Sequence, residues 1–256
     1  MVWPEILAVV FPTPWHFLVA CLALLVAEMV YVLLGFGAGL ISVGTLAFLL
    51  PEVRDVIVLI LLVNLPAELY VVWASRQHIR WRGVAVLSVG IAVGIPIGAW
   101  MLTFSEPTLL LGLLGAVLVL VGTTFLILKN ETRASIPAWS SPFVGLTSGL
   151  LAGLFGTGGP PVVLHYRLQG LAKTAFRGNL MALFLLMNLT RFPSYCAMGL
   201  VTTPRVIASA AVLPAVLVGA VLGHHIHLAL SETIFRRWVN IGLVILGLLL
   251  LVRSAG

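Results

Sequence analysis

Apolar stretches follow one another along almost the whole chain, at 15–34, 38–50, 56–74, 83–103, 108–128, 143–155, 159–168, 178–199, 206–230 and 237–252. A helix that crosses the hydrocarbon of a bilayer takes about 20 apolar residues. Six or seven of these stretches reach that length. Those at 38–50, 143–155 and 159–168 do not, and they flank two glycine clusters. The first is Gly35-Phe36-Gly37-Ala38-Gly39; the second is Gly153-Leu154-Phe155-Gly156-Thr157-Gly158-Gly159-Pro160-Pro161. A short apolar stretch beside a Gly/Pro break predicts a half-helix or a re-entrant segment. Backbone left unpaired at such a break must face protein or a wet cavity, because lipid offers it no hydrogen bond. The pattern predicts an all-α polytopic membrane protein of about 8–10 membrane segments.

The two halves of the chain resemble one another. Leu61-Leu62-Val63-Asn64-Leu65-Pro66 echoes Leu185-Leu186-Met187-Asn188-Leu189-Thr190. Each follows a glycine-broken segment and precedes two long apolar stretches. An N-terminal repeat over 1–130, a cytoplasmic linker over 131–141 and a C-terminal repeat over 142–256 follow as expectations.

Composition excludes a soluble fold: 61% of the 256 residues are hydrophobic and 9% charged, against about 25% charged in an ordinary soluble domain. Mean hydropathy is +1.17. The formal net charge of +6 does not point to nucleic acid, since the basic residues stand singly between apolar stretches, where they report orientation in a membrane. If each glycine-broken unit crosses once, the loop and terminal cations divide about 7 to 6 between the two faces, which is no bias. If each unit enters and returns to the same side, Arg76, Arg80, Arg82, Lys129, Arg133, Arg167, Lys173, Arg177, Arg236 and Arg237 fall inside, leaving Arg54, Arg205 and Arg253 outside. The positive-inside rule favours the second arrangement. It also places matching loops of the halves on opposite faces, as in an inverted-topology repeat. Cys21 and Cys196 lie in apolar stretches without CxxC or Cys/His spacing, and read as small apolar filler.

Half-helix N-termini that meet near the midplane offer free N–H groups and partial positive charge to an anion. The candidate substrate-binding residues are therefore Gly37, Ala38, Gly39, Gly156, Thr157, Gly158 and Gly159, joined by Asn64 and Asn188. Glycines in membrane helices also serve close packing, which is the competing explanation for these clusters. Arg191 is the most informative single charge. It lies near the middle of the 178–199 stretch and three residues after Asn188, on the same helix face. A cation at that depth marks a function or an ion pair, and its planar fork suits an oxyanion. Pairing with Glu28 or Glu68, or snorkelling to the interface, is the alternative. Glu28, Glu68 and His165 are candidates for proton coupling or for an ion pair. His224, His225 and His227 lack Cys, Asp or Glu at ligand spacing, so no metal and no cofactor is expected. The tryptophans sit near stretch ends, as an aromatic belt does. There is no Walker A pattern and no spacing that joins a nucleophile to a base. A secondary transporter thus ranks above an enzyme, with an anion channel or a subunit of a larger transport complex as the alternatives.

The second glycine cluster extended to Gly149, together with Phe176-Arg177-Gly178-Asn179 and Asn188-Leu189-Thr190-Arg191-Phe192, resembles the TauE/SafE family of sulfite and organosulfur anion exporters. Gly35–Pro51 carries the weaker half of the likeness, which extends over about 18–252. Val43-Gly44 and Leu164-His165 stand where that family often has a Val-Pro pair. The resemblance implies a multi-pass inner-membrane permease with two related halves that moves sulfite, sulfonates or similar small anions. Its partners are then a small anionic substrate and the bilayer, not nucleic acid, with assembly into a homo-oligomer left open.

Overall fold

The computed structural model describes residues 2–34, 38–75, 79, 81–128, 137–171, 173–226 and 232–255, and every regular element among them is helical. Each of the ten apolar stretches becomes one helix. After a short α1 (Val2–Ala8) come α2 (Pro14–Leu34), α3 (Ala38–Leu49), α4 (Val53–Ser75), α5 (Trp81–Phe104) and α6 (Pro107–Ile127). A 3-10 turn at Ala138–Ser140 leads into α7 (Ser141–Phe155), α8 (Gly159–Leu168), α9 (Lys173–Ala197), α10 (Thr203–Ile226) and α11 (Glu232–Ala255). Helix is what an apolar chain adopts in lipid, because each N–H and C=O is then paired within its own segment.

Six helices, α2, α5, α6, α9, α10 and α11, are long and apolar enough to cross a membrane. Helix α4 has 23 residues but carries Arg54, Asp55 and Glu68. The three short stretches stay short: 12 residues in α3, 15 in α7 and 10 in α8. Helix α9 starts earlier than its apolar stretch, at Lys173. Arg191 accordingly falls in the last third of α9, six residues before Ala197, rather than near its middle. Gly35, Phe36 and Gly37, and most of the expected linker over 131–141, lie outside the described residues.

The chain forms two compact units. One comprises Met1–Val63, Ser105–Leu128 and Val201–Gly256; the other comprises Asn64–Phe104 and Lys129–Leu200. Each draws helices from both halves of the sequence. In the first unit α2 packs along α10 and α6 along α11. The close approaches are made at glycine: a Cβ on Gly219 would meet the Leu25 carbonyl at 2.4 Å, and one on Gly115 the Gly247 carbonyl at 2.7 Å. The three arginines that the charge count leaves outside are each tied down in this unit. Arg205 Nε lies 2.7 Å from Asp55 Oδ1, Arg54 Nη2 donates to the Ser105 carbonyl at 2.7 Å, and Arg253 Nη1 donates to the Ala47 and Phe48 carbonyls at the end of α3.

In the second unit α5 packs along α7, with α9 against α5. Gly90, Gly94 and Gly98 of α5 interlock with Gly145, Gly149 and Gly153 of α7. A Cβ on Gly94 would meet the Leu146 carbonyl at 2.4 Å, and one on Gly153 the Ile95 carbonyl at 2.3 Å. Small residues four apart let two membrane helices touch backbone to backbone. Trp15, Trp81, Trp100, Trp139 and Trp238 are all exposed near helix ends, where amphipathic rings sit at a membrane interface.

Candidate functional site

The second glycine cluster lies wholly within the second compact unit and does three separate jobs there. Gly153 belongs to the α5–α7 packing just described. Gly156 ends α7 with φ +71°, the left-handed region that L side chains avoid. Its amide closes the helix on the Ala152 carbonyl at 2.8 Å, and the Thr157 amide reaches the Leu151 carbonyl at 3.3 Å. Gly158 fits a space with no room for a side chain: a Cβ there would lie 2.6 Å from the Ser148 carbonyl and 2.8 Å from Met187 Sδ.

Helix α8 then starts with Gly158 as its N-cap and Pro160 and Pro161 in its first turn. The first N–H groups of a helix have no partner within it. Two of those positions are proline here, so the amides left to point out of the N-terminus are those of Gly158 and Gly159. Helices α7 and α8 run antiparallel as a hairpin. Ser148 Oγ, midway along α7, donates to the Gly158 carbonyl at the tip. Ser141, the first residue of α7, has its Oγ 3.3 Å from His165 Nε2, in the last turns of α8. The start of α7 and the end of α8 therefore lie at the same end of the hairpin.

Arg191 of α9 comes to the turn at the hairpin tip. A Cβ on Gly156 would lie 2.8 Å from Arg191 Nη2 and 3.3 Å from Cζ, so a glycine is what lets the guanidinium close on the backbone. Arg191 is 2% exposed, so its guanidinium is enclosed by protein. Its Nη1 donates to Asn188 Oδ1 at 2.9 Å, and Nε and Nη2 both lie 3.3 Å from the Tyr195 hydroxyl. The Tyr195 hydroxyl donates in turn to the Gly153 carbonyl at 2.7 Å, and Asn188 Nδ2 donates to Glu68 Oε2 at 2.5 Å. A cation at the carboxyl end of α7 also complements that end's partial negative charge. Arg191 is thus positioned by a chain that runs from the Glu68 carboxylate through Asn188 to Tyr195 and the α7 backbone.

The neighbouring polar atoms are in a different state. Among the described residues, three buried side-chain polar atoms have no hydrogen-bond partner: Thr157 Oγ1, His165 Nδ1 and the Tyr166 hydroxyl. All three stand on the stretch from the hairpin tip to the last turns of α8. Buried polar atoms in folded proteins nearly always have a partner, in protein, water or ligand.

The structure thus brings together Gly156, Thr157, Gly158, Gly159, Asn188, Arg191 and Glu68, in one unit. Asn64 is in the same unit, half-buried one turn before Glu68 on α4. His165 lies along the hairpin toward its open end. Gly37 lies outside the described residues, while Ala38 and Gly39 open α3 in the other unit. Glu28 is also in that unit, buried in α2, with no ion pair among the described residues. Tyr195, Ser148 and Tyr166 escape the sequence reasoning. Tyr195 stands four residues after Arg191, a spacing that signals a shared helix face, but its second partner is a carbonyl on another helix.

The family described as sulfite exporter TauE/SafE matches residues 20–250 of the chain. A Cupriavidus necator protein named probable sulfite/organosulfonate exporter TauE is 31% identical over 208 residues, 79% of this chain and 81% of that one. A Comamonas testosteroni protein named probable inner membrane transporter protein TsaS is 29% identical over 117 residues, 45% of this chain and 49% of that one. No solved structure matches the chain.

Proposed function

The chain belongs to the TauE/SafE sulfite exporter family, and from that premise we propose that it is a secondary transporter of the inner membrane that exports sulfite, sulfonates or related organosulfur anions by alternating access. The observation that carries the proposal is the buried Arg191 guanidinium set against the left-handed Gly156 turn, beside the unpartnered Thr157 hydroxyl. An oxyanion at this tip would take charge from Arg191, a hydroxyl from Thr157 and the outward amides of Gly158 and Gly159. Asn188 and Tyr195 orient the guanidinium, and Glu68 orients Asn188. Asn64 supplies a further polar group on α4.

Depth supports this location. Ten residues of α8 at about 1.5 Å each make a helix about 15 Å long, half of a hydrocarbon layer about 30 Å thick. A hairpin whose open end lies at one interface therefore carries its tip to the midplane. The antiparallel course of α7 and α8 is also what a unit that enters and returns to one side requires, the arrangement that the positive-inside count favours. Helix pairing supports a duplicated architecture. Under an exchange of the halves α2 corresponds to α7, α5 to α10 and α6 to α11. The pair α2–α10 then maps onto α7–α5, and α6–α11 maps onto itself.

In proteoliposomes with sulfite as the probe, Arg191→Ala abolishes flux and Arg191→Lys, which keeps the charge but loses the fork, lowers it at least about tenfold. Size-exclusion profiles of both variants verify folding. Undiminished flux in well-folded Arg191→Ala removes this residue from the site. Flux that fails to saturate with sulfite replaces the transporter by a channel.

A further inference from the structure

Arg191 and Thr157 account for the hairpin tip but leave the other two orphaned atoms unexplained. His165 and Tyr166 are 4% and 2% exposed. They follow Gly158 by seven and eight residues, two helical turns, so they continue along α8 toward the open end of the hairpin. Their rings are 5.8 Å apart between centroids. The His165 ring is held from both sides at Nε2: the Gln169 amide nitrogen stands 2.9 Å away and Ser141 Oγ 3.3 Å. With the Gln169 amide donating to Nε2, the ring proton sits on Nδ1. In that tautomer Nδ1–H is a buried donor without an acceptor, and the hydroxyl of the next residue, Tyr166, is a second buried polar atom without a partner. Two unpartnered polar atoms able to donate, on adjacent residues in a buried setting, suit an anion's oxygen atoms.

The distance to the tip is that of a second station rather than an extension of the first. The helix from Gly159 to His165 alone rises six residues, about 9 Å, more than one small oxyanion spans. Arg167 in the last turn of α8 and Lys173 and Arg177 in the first turns of α9 follow in the chain, and their summed field concentrates anions near that end.

From this placement we infer that His165 and Tyr166 form a second, neutral oxyanion-binding station at the open end of the α7–α8 hairpin, which the transported anion occupies before it reaches the tip. The inference rests on the proposed transport of small oxyanions and adds a site to it. Ser141 and Gln169 are positioning residues, since they hold the imidazole tautomer and touch no anion. Neutrality distinguishes the two stations. The tip has a guanidinium and binds strongly; the hairpin mouth has two uncharged donors and binds weakly, as a site must when the anion is to move on.

Tyr166→Phe tests this with little risk to folding, because it removes one oxygen from a buried ring. The purified full-length chain is titrated with radiolabelled sulfite, and its thermal melting and proteoliposome flux are measured in parallel. The wild type is expected to bind sulfite in two classes of site, one strong and one weak. Tyr166→Phe is expected to lose the weak class, to keep the strong one, to melt no lower than wild type and to transport about tenfold more slowly at low sulfite. Arg191→Lys is expected to weaken the strong class and leave the weak one. A single class of site in wild type overturns the inference. So does a Tyr166→Phe chain that binds and transports as wild type while melting higher, the result of a hydroxyl that faced only water or nothing. Either outcome leaves the tip site standing if Arg191→Ala still abolishes flux, whereas a wild-type chain that transports no sulfite or sulfonate removes the reading on which both stations depend.

Discussion

At the level of single residues, the tip of the α7–α8 hairpin depends on a glycine whose two requirements are separable. Gly156 has φ +71°, and an alanine in that region costs about 1–2 kcal/mol. Its added Cβ would also stand 2.8 Å from Arg191 Nη2, so the guanidinium has to withdraw. Gly159, with φ in the ordinary range and a nearest neighbour at 3.3 Å on the Phe184 ring, meets only the second and milder kind of crowding. Gly156→Ala is therefore expected to lower stability by about 1–2 kcal/mol and sulfite affinity by more than that loss of stability explains. Gly159→Ala should change each much less. Thermal melting and sulfite binding of the two variants check the contrast; equal effects would mean that the Gly156 turn has no special relation to Arg191. The sequence alone already pairs Asn188 with Arg191 through their spacing of three, and the 2.9 Å hydrogen bond joins them. It leaves open whether Arg191 pairs with Glu68, because the link passes through Asn188 and joins residues 120 positions apart. Local periodicity carries no information on such a partner.

For the helices as elements, each apolar stretch marked one helix nearly to its ends, and among the described residues only the short α1 lay outside the pattern. The ends moved outward where a charged first turn, as in α9 and α11, continues the helix beyond the apolar stretch. What the pattern does not separate is the purpose of each glycine. Substrate contact and close packing both select small residues, and the second cluster contains both. Gly153 completes the Gly145–Gly149–Gly153 series that packs on α5, whereas Gly156 and Gly158 shape the turn. The spacing of four along α5 and α7 is visible in the sequence, but the pairing of those two helices is a property of the fold. The interlocked stripe is expected to be the least tolerant feature of its unit. A Cβ on Gly94 would stand 2.4 Å from a carbonyl oxygen and 2.7 Å from an amide nitrogen, both backbone atoms that cannot rotate away. Gly94→Val should cost about 3 kcal/mol or more by forcing α5 off α7. Gly83→Val, where nothing lies within 4 Å of the added Cβ, serves as the control. Fluorescence-detected size exclusion after a heating series reads the difference, and similar melting of the two variants would contradict backbone-to-backbone packing.

At the scale of the whole molecule, orientation follows from combining charge with the hairpin. Ser141 meets His165 and Ser148 meets Gly158, two contacts whose residue numbers have the same sum, as an antiparallel register demands. If the α7–α8 unit returns to its starting side, the stretches before α7 and after α8 share one face, and the positive-inside rule would make that face cytoplasmic. In the other unit Arg54, Arg205 and Arg253 are each held by a carboxylate or by backbone carbonyls. In a chain whose Cys21 and Cys196 are replaced, Arg177→Cys is therefore expected to react with a membrane-impermeant maleimide only from the cytoplasmic side, and Glu106→Cys only from the other. Both positions are solvent-exposed. Helix α9 starts between the hairpin and Arg177 and does not cross before it, so labelling of Arg177→Cys from the outer side would mean that the α7–α8 unit passes through the bilayer. The tip would then no longer sit at the midplane, and Arg191 would have to reach its anion from a surface rather than from within the membrane.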